Sequence, residues 1–436
     1  FLTGATASAY ATPGAASEGK PTVLLGEDTR ESSPWVTSYL AAGLRAAGIE
    51  PISSGVLPTP AIAQLVCARG FAAGVVVSAS HNPYRDNGIK LLGPSGMKLP
   101  DEVEAELEGR VQEALRPVGE GAAALEELQG EPSAYQPQVD PSLAEEYVAG
   151  LRARVEDINL GSLHVVVDCA NGAATWVAPG LFAGLGARVT AIHAAPDGKN
   201  INADCGALYP ESLQKKVVEL GADLGVAFDG DADRAIFVTH AGRVVDGDGV
   251  LFATARWMKE KKKLKTETVV GTLMANMGLE EALRREGLQL VRTAVGDRYV
   301  LEEMLRRGAN LGGEQSGHVI FLDDAPTGDG LLTALKICAI MVERGCSLEA
   351  LVADLKPFPQ VLVNVRVREK IPFAQLPAVQ QAIQKAQAAL ADRGRVLVRY
   401  SGTEALARVM VEAESAAEVE SWATAIASAI EEAIGS

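Results

Sequence analysis

The chain has little that would carry it into a bilayer or onto nucleic acid. No apolar run approaches the roughly 18 residues needed to span a membrane, and no basic segment followed by an apolar one opens the sequence. A cytoplasmic location with no membrane partner is the expectation. Basic excess is also missing: the formal net charge is -16, which disfavours nucleic acid, so an anionic substrate would need a local basic pocket. Cysteine is scarce and unpatterned. Cys67, Cys169, Cys205, Cys338 and Cys346 are an odd number with no C-x-x-C pair, which predicts buried thiols and neither a disulfide nor a zinc role.

What is present is an α/β composition, 47% hydrophobic and 22% charged with 44 glycines, over 436 residues, too many for one core. Apolar runs alternate with helical patterns of about ten to fifteen residues, the rhythm of mixed sheets covered by helices on both faces. This predicts three similar α/β domains, at 1–135, 141–244 and 245–356. A Pro- and Gly-dotted linker from about Pro117 to Pro141 separates the first two. After Lys356-Pro-Phe-Pro359, read as a hinge, the order becomes strand, helix, strand, strand, helix, an α+β domain at 357–436. A short strand is expected to end at Leu311, and one helix to run from Phe373 to Ala391.

Four segments carry chemistry. In Gly74-Val-Val-Val-Ser-Ala-Ser80-His81-Asn82-Pro83, a buried-strand pattern breaks into turn formers, leaving Ser80 at the carboxyl end of a core strand beside His81, Arg85 and Lys90. Ligands of open α/β sheets sit outside that end. No Gly-x-Ser-x-Gly elbow surrounds Ser80, which disfavours a serine hydrolase. Second, Asp229, Asp231 and Asp233 alternate directly after another apolar strand and precede Arg234. Such carboxylates repel one another unless a hard cation such as Mg²⁺ or Ca²⁺ compensates. An EF-hand is excluded, because Arg234 and His240 stand where its glycine and glutamate are required.

Third, Gly312-Gly-Glu314-Gln-Ser316-Gly-His318 offers an acceptor, a hydroxyl and a titratable ring suited to sugar hydroxyls or proton transfer, although a glycine-rich turn would look the same. Fourth, Arg399-Tyr-Ser401-Gly402-Thr403-Glu-Ala405-Leu-Ala-Arg408 places hydroxyls, free N–H groups and two guanidiniums around one turn, the parts of a phosphate cradle.

In this order and at these separations, Ser-Ala-Ser-His-Asn-Pro, Asp-Gly-Asp-Ala-Asp-Arg, Gly-Glu-Gln-Ser-Gly-His and Arg-Tyr-Ser-Gly-Thr-Glu resemble the α-D-phosphohexomutases. The resemblance extends over nearly the whole chain, through Val167-Asp-Cys-Ala-Asn-Gly172, Gly271-Thr-Leu-Met-Ala-Asn276 and Val295-Gly-Asp-Arg-Tyr-Val300. Gln315, the last of these stretches and the Cys205-Gly206 region look most like the bacterial branch that interconverts glucosamine 6-phosphate and glucosamine 1-phosphate. A phosphomannomutase or phosphoglucomutase of broader specificity and a non-catalytic sugar-phosphate-binding relative are the alternatives.

The resemblance implies four domains around a central cleft and a resting enzyme phosphorylated on Ser80. Ser80, Asp229, Asp231 and Asp233 would hold Mg²⁺, and Arg234 would offset charge on the transferring phosphoryl group. Glu314 and Ser316 would hold sugar hydroxyls, and Arg399, Ser401, Gly402, Thr403 and Arg408 the phosphate that is not reacting. Its partners would be a hexosamine phosphate and glucosamine 1,6-bisphosphate, the intermediate that turns over between half-reactions, in a monomer or homodimer. His81 belongs to the catalytic set, with Lys90 or His318 as general acid/base, because Ala294 stands where some relatives carry a lysine. The fourth domain is expected to close about the Lys356–Pro359 hinge. Two departures stand out. Nothing in Phe1–Lys20 matches the Gly-Thr-Asp-Gly-Ile-Arg-Gly strand of relatives, so either the chain begins inside a longer one or that strand's arginine is supplied elsewhere. Ala405 replaces a usual proline.

Overall fold

The computed structural model describes residues 20–115, 135–156, 158–401 and 405–436. The first nineteen residues, most of the linker, and Gly402 and Thr403 of the phosphate turn lie outside the described residues. Two compact units form: one takes residues up to Met274 together with Leu288–Ala353, the other Ala275–Gly287 with Asp354–Ser436.

The larger unit is built on three mixed sheets. In the first, β1 (Thr22–Glu27), β2 (Glu50–Val56) and β3 (Ala73–Val77) are parallel and β4 (Ile89–Leu92) is antiparallel, in the order β2-β1-β3-β4. Helices α1 (Ser33–Ala46) and α2 (Thr59–Arg69) make the crossovers, each with proline in its first turn, where no N–H is needed. Helix α3 (Asp101–Leu115) follows, then α4 (Ser142–Arg154).

The second sheet has the order β6-β5-β7-β8-β9, from β5 (His164–Asp168), β6 (Arg188–Ile192), β7 (Leu224–Phe228), β8 (Ala235–Thr239) and β9 (Val244–Val245). Strands β5, β7 and β8 are buried along their whole length, which is why β7 and the centre of β5 read as apolar runs. Helices α5 (Ala178–Gly184) and α6 (Glu211–Leu220) cover it. The chain thus leaves β5 to one side and returns to the other, so the carboxyl ends of β5 and β7 flank a topological switch point.

Helix α7 (Gly247–Glu260) leads to the third sheet, β10 (Thr268–Thr272), β11 (Gln289–Thr293), β12 (Leu311–Gly313) and β13 (Val319–Phe321), ordered β11-β10-β12-β13. Strand β12 begins at Leu311 instead of ending there. Its glycines pair with Val319 and Ile320, and a Cβ on Gly312 would lie 2.6 Å from the Met304 sulfur, so glycine here permits close sheet packing.

The smaller unit carries α8 (Met277–Arg285), which Asn276 caps by accepting from Gly278 N–H at 2.8 Å. Helices α9 (Asp297–Arg307), α10 (Gly330–Arg344) and α11 (Leu348–Leu351) belong to the larger unit. Beyond them the smaller unit's antiparallel sheet has the order β14-β16-β15, from β14 (Gln360–Arg366), β15 (Gly394–Tyr400) and β16 (Leu406–Ala413). Helices α12 (Pro377–Leu390) and α13 (Ala416–Ile434) pack on it through Val379, Leu390, Val419, Ile426 and Ile430. The single helix expected from Phe373 is interrupted: Phe373–Gln375 form a 3₁₀ turn and Pro377, unable to donate, starts a new helix. Among the described residues no helix is long and apolar enough to cross a membrane. All five cysteines are free thiols; Cys169, Cys205 and Cys338 are buried as expected, but Cys67, in the last turn of α2, is exposed and Cys346 is half-buried.

Candidate active site

Ser80 follows β3 in the left-handed backbone region, φ 49°. The loop that holds it is closed at its base, where Ser78 N–H donates to the Gly88 carbonyl at 2.9 Å and Ser78 Oγ donates to Asp28 at 2.7 Å. Across the larger unit, Ser80 Oγ donates to Asp229 Oδ2 at 2.6 Å. The serine after β3 and the first aspartate after β7, 149 residues apart, therefore share one hydrogen bond.

Asp229, Asp231 and Asp233 are 1%, 0% and 7% exposed, and one oxygen from each falls within 4.8 Å of the others. Burial and the two neighbouring carboxylates push Asp229 well above the usual carboxylate range. Burial would raise Asp233 too, but His318, Lys90 and Arg234 hold it well below that range. Asp231 Oδ2 receives Thr59 Oγ1 and Lys90 Nζ, each at 2.5 Å. Asp231 Oδ1 and Asp233 Oδ1 are buried with no hydrogen-bond partner. A hard divalent cation fits this set: three convergent carboxylates, two of them with an orphaned oxygen.

Lys90, on β4, keeps its charge because Asp231, Asp233 and Asp229 outweigh the cost of burial. Arg234 Nε lies 3.8 Å from Asp233. His81 Nδ1 is 3.4 Å from Ser80 Oγ, and burial together with Arg234 lowers the ring's proton affinity. His318 is 2% exposed, with Nδ1 3.5 Å from Asp233 and Nε2 accepting from Gly328 N–H at 3.1 Å. Burial disfavours an imidazolium there, but Asp233, Asp297 and Glu314 outweigh it, while the Gly328 N–H opposes a second proton on Nε2. Glu314 Oε1 accepts from Gly296 N–H at 3.1 Å, and Gly317 O accepts from Ala235 N–H at 3.1 Å, tying the third segment to the strand after the aspartates. Ser316 lies in the same turn, exposed.

In the smaller unit, Arg399 and Arg408 are direct cross-strand partners on β15 and β16. Burial and the adjacent Arg408 make the Arg399 guanidinium less basic, the signature of two cations set side by side. Ser401 is buried; its N–H donates to the Leu406 carbonyl at 2.8 Å and its carbonyl accepts from Lys370 at 2.7 Å.

Several residues that shape the site went unremarked in the sequence. Arg30, after β1, is fully buried, pairs with Asp28 at 2.8 Å and donates to four carbonyls of the serine loop. Its only signal was the Asp28-Thr-Arg30 run at a strand end. Thr59 heads α2 against Asp231, and Asn202 reaches the serine loop from the loop after β6. A second cluster, Asp168, His193 and Cys205, also gathers possible ligand atoms within 4.8 Å. There the Asp168 oxygens accept from Ala170 N–H at 2.9 Å and Gly206 N–H at 3.0 Å, with His193 3.0 Å away, so this carboxylate pins two loops.

Family models agree with this reading along the chain. The three α/β/α domains of phosphoglucomutase/phosphomannomutase match residues 2–116, 145–242 and 246–358, and the C-terminal domain matches 362–429. Among curated relatives, phosphoglucosamine mutases of Koribacter versatilis and Solibacter usitatus are 52% and 50% identical, each over 95% of this chain and 89% and 91% of their own. A phosphoglucomutase/phosphomannomutase family protein from Burkholderia thailandensis shares the fold with a TM-score of 0.76 at 24% identity, covering 99% of this chain and 93% of that one. An Aspergillus fumigatus N-acetylphosphoglucosamine mutase, solved with GlcNAc-6P and magnesium, gives 0.67 at 23% over 87% of this chain and 93% of its own. The chain belongs to the phosphoglucomutase/phosphomannomutase family and is a phosphohexomutase, an isomerase.

Proposed function

We propose that the chain interconverts glucosamine 6-phosphate and glucosamine 1-phosphate, as a phosphoglucosamine mutase working through a phosphoserine at Ser80. The observation that carries this is the 2.6 Å hydrogen bond between Ser80 Oγ and Asp229, which sets a strand-end hydroxyl against a trio of buried carboxylates. The 52% and 50% identical relatives that bear that name support the choice of sugar.

Asp229, Asp231 and Asp233, with an oxygen on Ser80, would hold the metal, which we take as Mg²⁺; when bound it supplies positive charge to offset that of the transferring phosphoryl group. In the forward half-reaction the Ser80 Oγ–P bond breaks as a P–O bond forms to the free sugar hydroxyl, giving glucosamine 1,6-bisphosphate. The hydroxyl proton leaves to a base, and Ser80 Oγ ends protonated or paired with a cation. The bisphosphate turns over, and its other phosphoryl group returns to Ser80. Of the two proton-handling candidates, Lys90 fits better, in the acid's part: held as an ammonium beside the trio with its side chain one-fifth exposed, it could give a proton to Ser80 Oγ, while both His318 nitrogens face protein partners in the core. His81 lies beside the reacting oxygen, and Arg234 is placed to meet phosphoryl charge. Glu314 and Ser316 would take sugar hydroxyls. Arg399, Ser401, Gly402, Thr403 and Arg408 would take the phosphate that is not reacting, the paired guanidiniums giving the forked recognition it requires.

The test is intact mass of the protein, first freed of any phosphoryl group with a phosphatase, before and after glucose 1,6-bisphosphate, with Ser80→Ala as control. One added phosphoryl group on the parent and none on the variant is expected. Relative rates on glucosamine, glucose and mannose 6-phosphates then decide the sugar. A preference for glucose or mannose 6-phosphate overturns the assignment of the substrate, and absence of phosphoryl uptake overturns the mechanism.

A further inference from the structure

The nucleophile's backbone is held from two sides, and one of the two holds comes from a different sheet. Ser80 sits at φ 49°, a conformation an L residue keeps only when its surroundings enforce it. Its carbonyl accepts from Arg30 Nη2 at 3.0 Å and from Asn202 Nδ2 at 2.8 Å. The Asn82 carbonyl accepts from the same two groups, at 2.9 and 3.1 Å. Arg30 belongs to the loop after β1, in the same sheet as β3, and would grip the serine loop wherever that sheet went. Asn202 does not: it lies beyond β6 in the second sheet, the one whose strand β7 delivers the aspartates.

Asn202 is itself firmly placed. It is buried, left-handed at φ 56°, and its N–H donates to the Ala170 carbonyl at 2.9 Å. Four residues on, Gly206 N–H is fixed by the fully buried Asp168. The amide also abuts the aspartate loop, since a Cβ at Gly230 would fall 2.8 Å from Asn202 Nδ2 and 2.5 Å from the Ser80 carbonyl. One neutral NH₂ group, with two hydrogens for two carbonyls, therefore registers the serine loop against the loop that carries Asp229 and Asp231.

We infer that Asn202 is a positioning residue: its carboxamide clasps the Ser80 and Asn82 carbonyls and thereby holds Ser80 Oγ in register with Asp229 for phosphoryl transfer. This rests on the reading of Ser80 as the phosphoryl carrier. Asparagine is the suitable side chain because aspartate at this position would aim carboxylate oxygens at two carbonyls, and alanine would leave both with Arg30 alone.

The experiment compares the full-length parent, Asn202→Ala and Asn202→Asp by single-turnover phosphoryl uptake from glucose 1,6-bisphosphate, read by intact mass, and by steady-state kcat and KM. Both variants should take up phosphate and turn over about 10- to 100-fold more slowly, the usual cost of a small misplacement of reacting groups. KM and the melting temperature should stay close to the parent's. Asn202→Asp adds a readout that a scaffolding role would not move: protonation returns one donor, so its rate relative to the parent should rise as pH falls from 7 to 5. Uptake by either folded variant within threefold of the parent's rate overturns the inference, as does a loss of rate that only tracks a loss of folded protein. Should Asn202→Asp fail to fold, the KM-against-kcat split of Asn202→Ala decides alone; should Asn202→Ala fail, the pH profile of Asn202→Asp does, and failure of both to fold overturns the inference in favour of scaffolding. A parent that takes up no phosphate on Ser80 would instead sink the underlying reading, so the two failures are distinct.

Discussion

Gln64 Nε2 donates to the Asp329 carboxylate at 2.6 Å, joining helix α2 to the N-cap of α10 in the core of the larger unit. Tyr147 OH reaches the same carboxylate at 3.1 Å, and Leu332 N–H donates to it at 3.0 Å. One residue on, Gly330 N–H donates to the Ala232 carbonyl in the aspartate loop. The loop that gathers the candidate metal ligands is thus backed by a buried acid that, among the described residues, has no cation in hydrogen-bonding contact.

Burial raises Asp329 to about 6 from 3.8, against the lowering effect of Leu332, Tyr147 and Gln64. A folded-state value above the unfolded one means that this group favours folding most below pH 3.8, and that the contribution is lost as pH rises through about 6. The two-unit gap corresponds to at most ~3 kcal/mol. Asp329→Asn keeps the shape and the acceptor for Gln64 without the charge. Its urea midpoint should exceed the parent's at pH 5, where the unfolded acid is already ionised, and by a wider margin at pH 8. Equal destabilisation at both pH values would show that the acid's hydrogen bonds outweigh the cost of its charge.

Lys90→Met separates two effects of the same side chain. The ammonium sits 2.5 Å from Asp231 Oδ2, where it competes with any metal for that oxygen. Removing it should lower the Mg²⁺ concentration at half-maximal activity. As the proton-handling group its loss should also cut kcat by roughly 10²- to 10⁴-fold. Titration of activity against Mg²⁺ reads both, and a raised metal requirement with unchanged kcat would deny Lys90 either part.

In the smaller unit, Arg399→Ala and Arg408→Ala should act on binding. The two are direct cross-strand partners, and the positive charge of Arg408 makes Arg399 less basic, an unfavourable effect that a bound anion would offset. Loss of a charge-assisted hydrogen bond of about 1.5–3 kcal/mol predicts a KM for glucosamine 6-phosphate raised by roughly 10- to 100-fold, with kcat less affected. Arg399→Ala should also gain slightly in thermal stability, because the like-charge pair is gone. A fall in kcat at unchanged KM would move these residues from binding to chemistry.

The parts of the site that were legible in the sequence were those where one local pattern did the encoding. The runs Val75–Val77 and Leu224–Phe228 end abruptly in polar residues, so Ser80 and Asp229 announced themselves as strand-end groups. The pairing partners were not legible. Arg30, Thr59 and Asn202 look like ordinary loop and cap residues until the sheets are assembled, because each acts on a residue at least 50 positions away. Strand β8 is hard to read for a related reason: Ala235–Thr239 follows so closely on the aspartates that its apolar run merges with their loop, whereas it pairs antiparallel with β7. Glycine misled at β12, where Gly312 and Gly313 suggest a turn but are required by close packing within the sheet.

His318 offers the sharpest separation between a proton shuttle and a support for the metal site. Its Nδ1 faces Asp233 at 3.5 Å, its Nε2 is occupied by Gly328 N–H, and a Cβ added at Gly328 would lie 2.4 Å from the ring, so the imidazole has no room to turn toward a substrate. The group it can act on is Asp233, whose proton affinity it lowers. His318→Gln should therefore weaken Mg²⁺ binding by about 10- to 100-fold, the usual effect of losing the partner of a ligating carboxylate. At saturating Mg²⁺ most of kcat should return, and the pH–rate profile should keep the parent's limbs. A profile that loses one limb while the Mg²⁺ requirement stays fixed would instead make His318 the group that moves the proton.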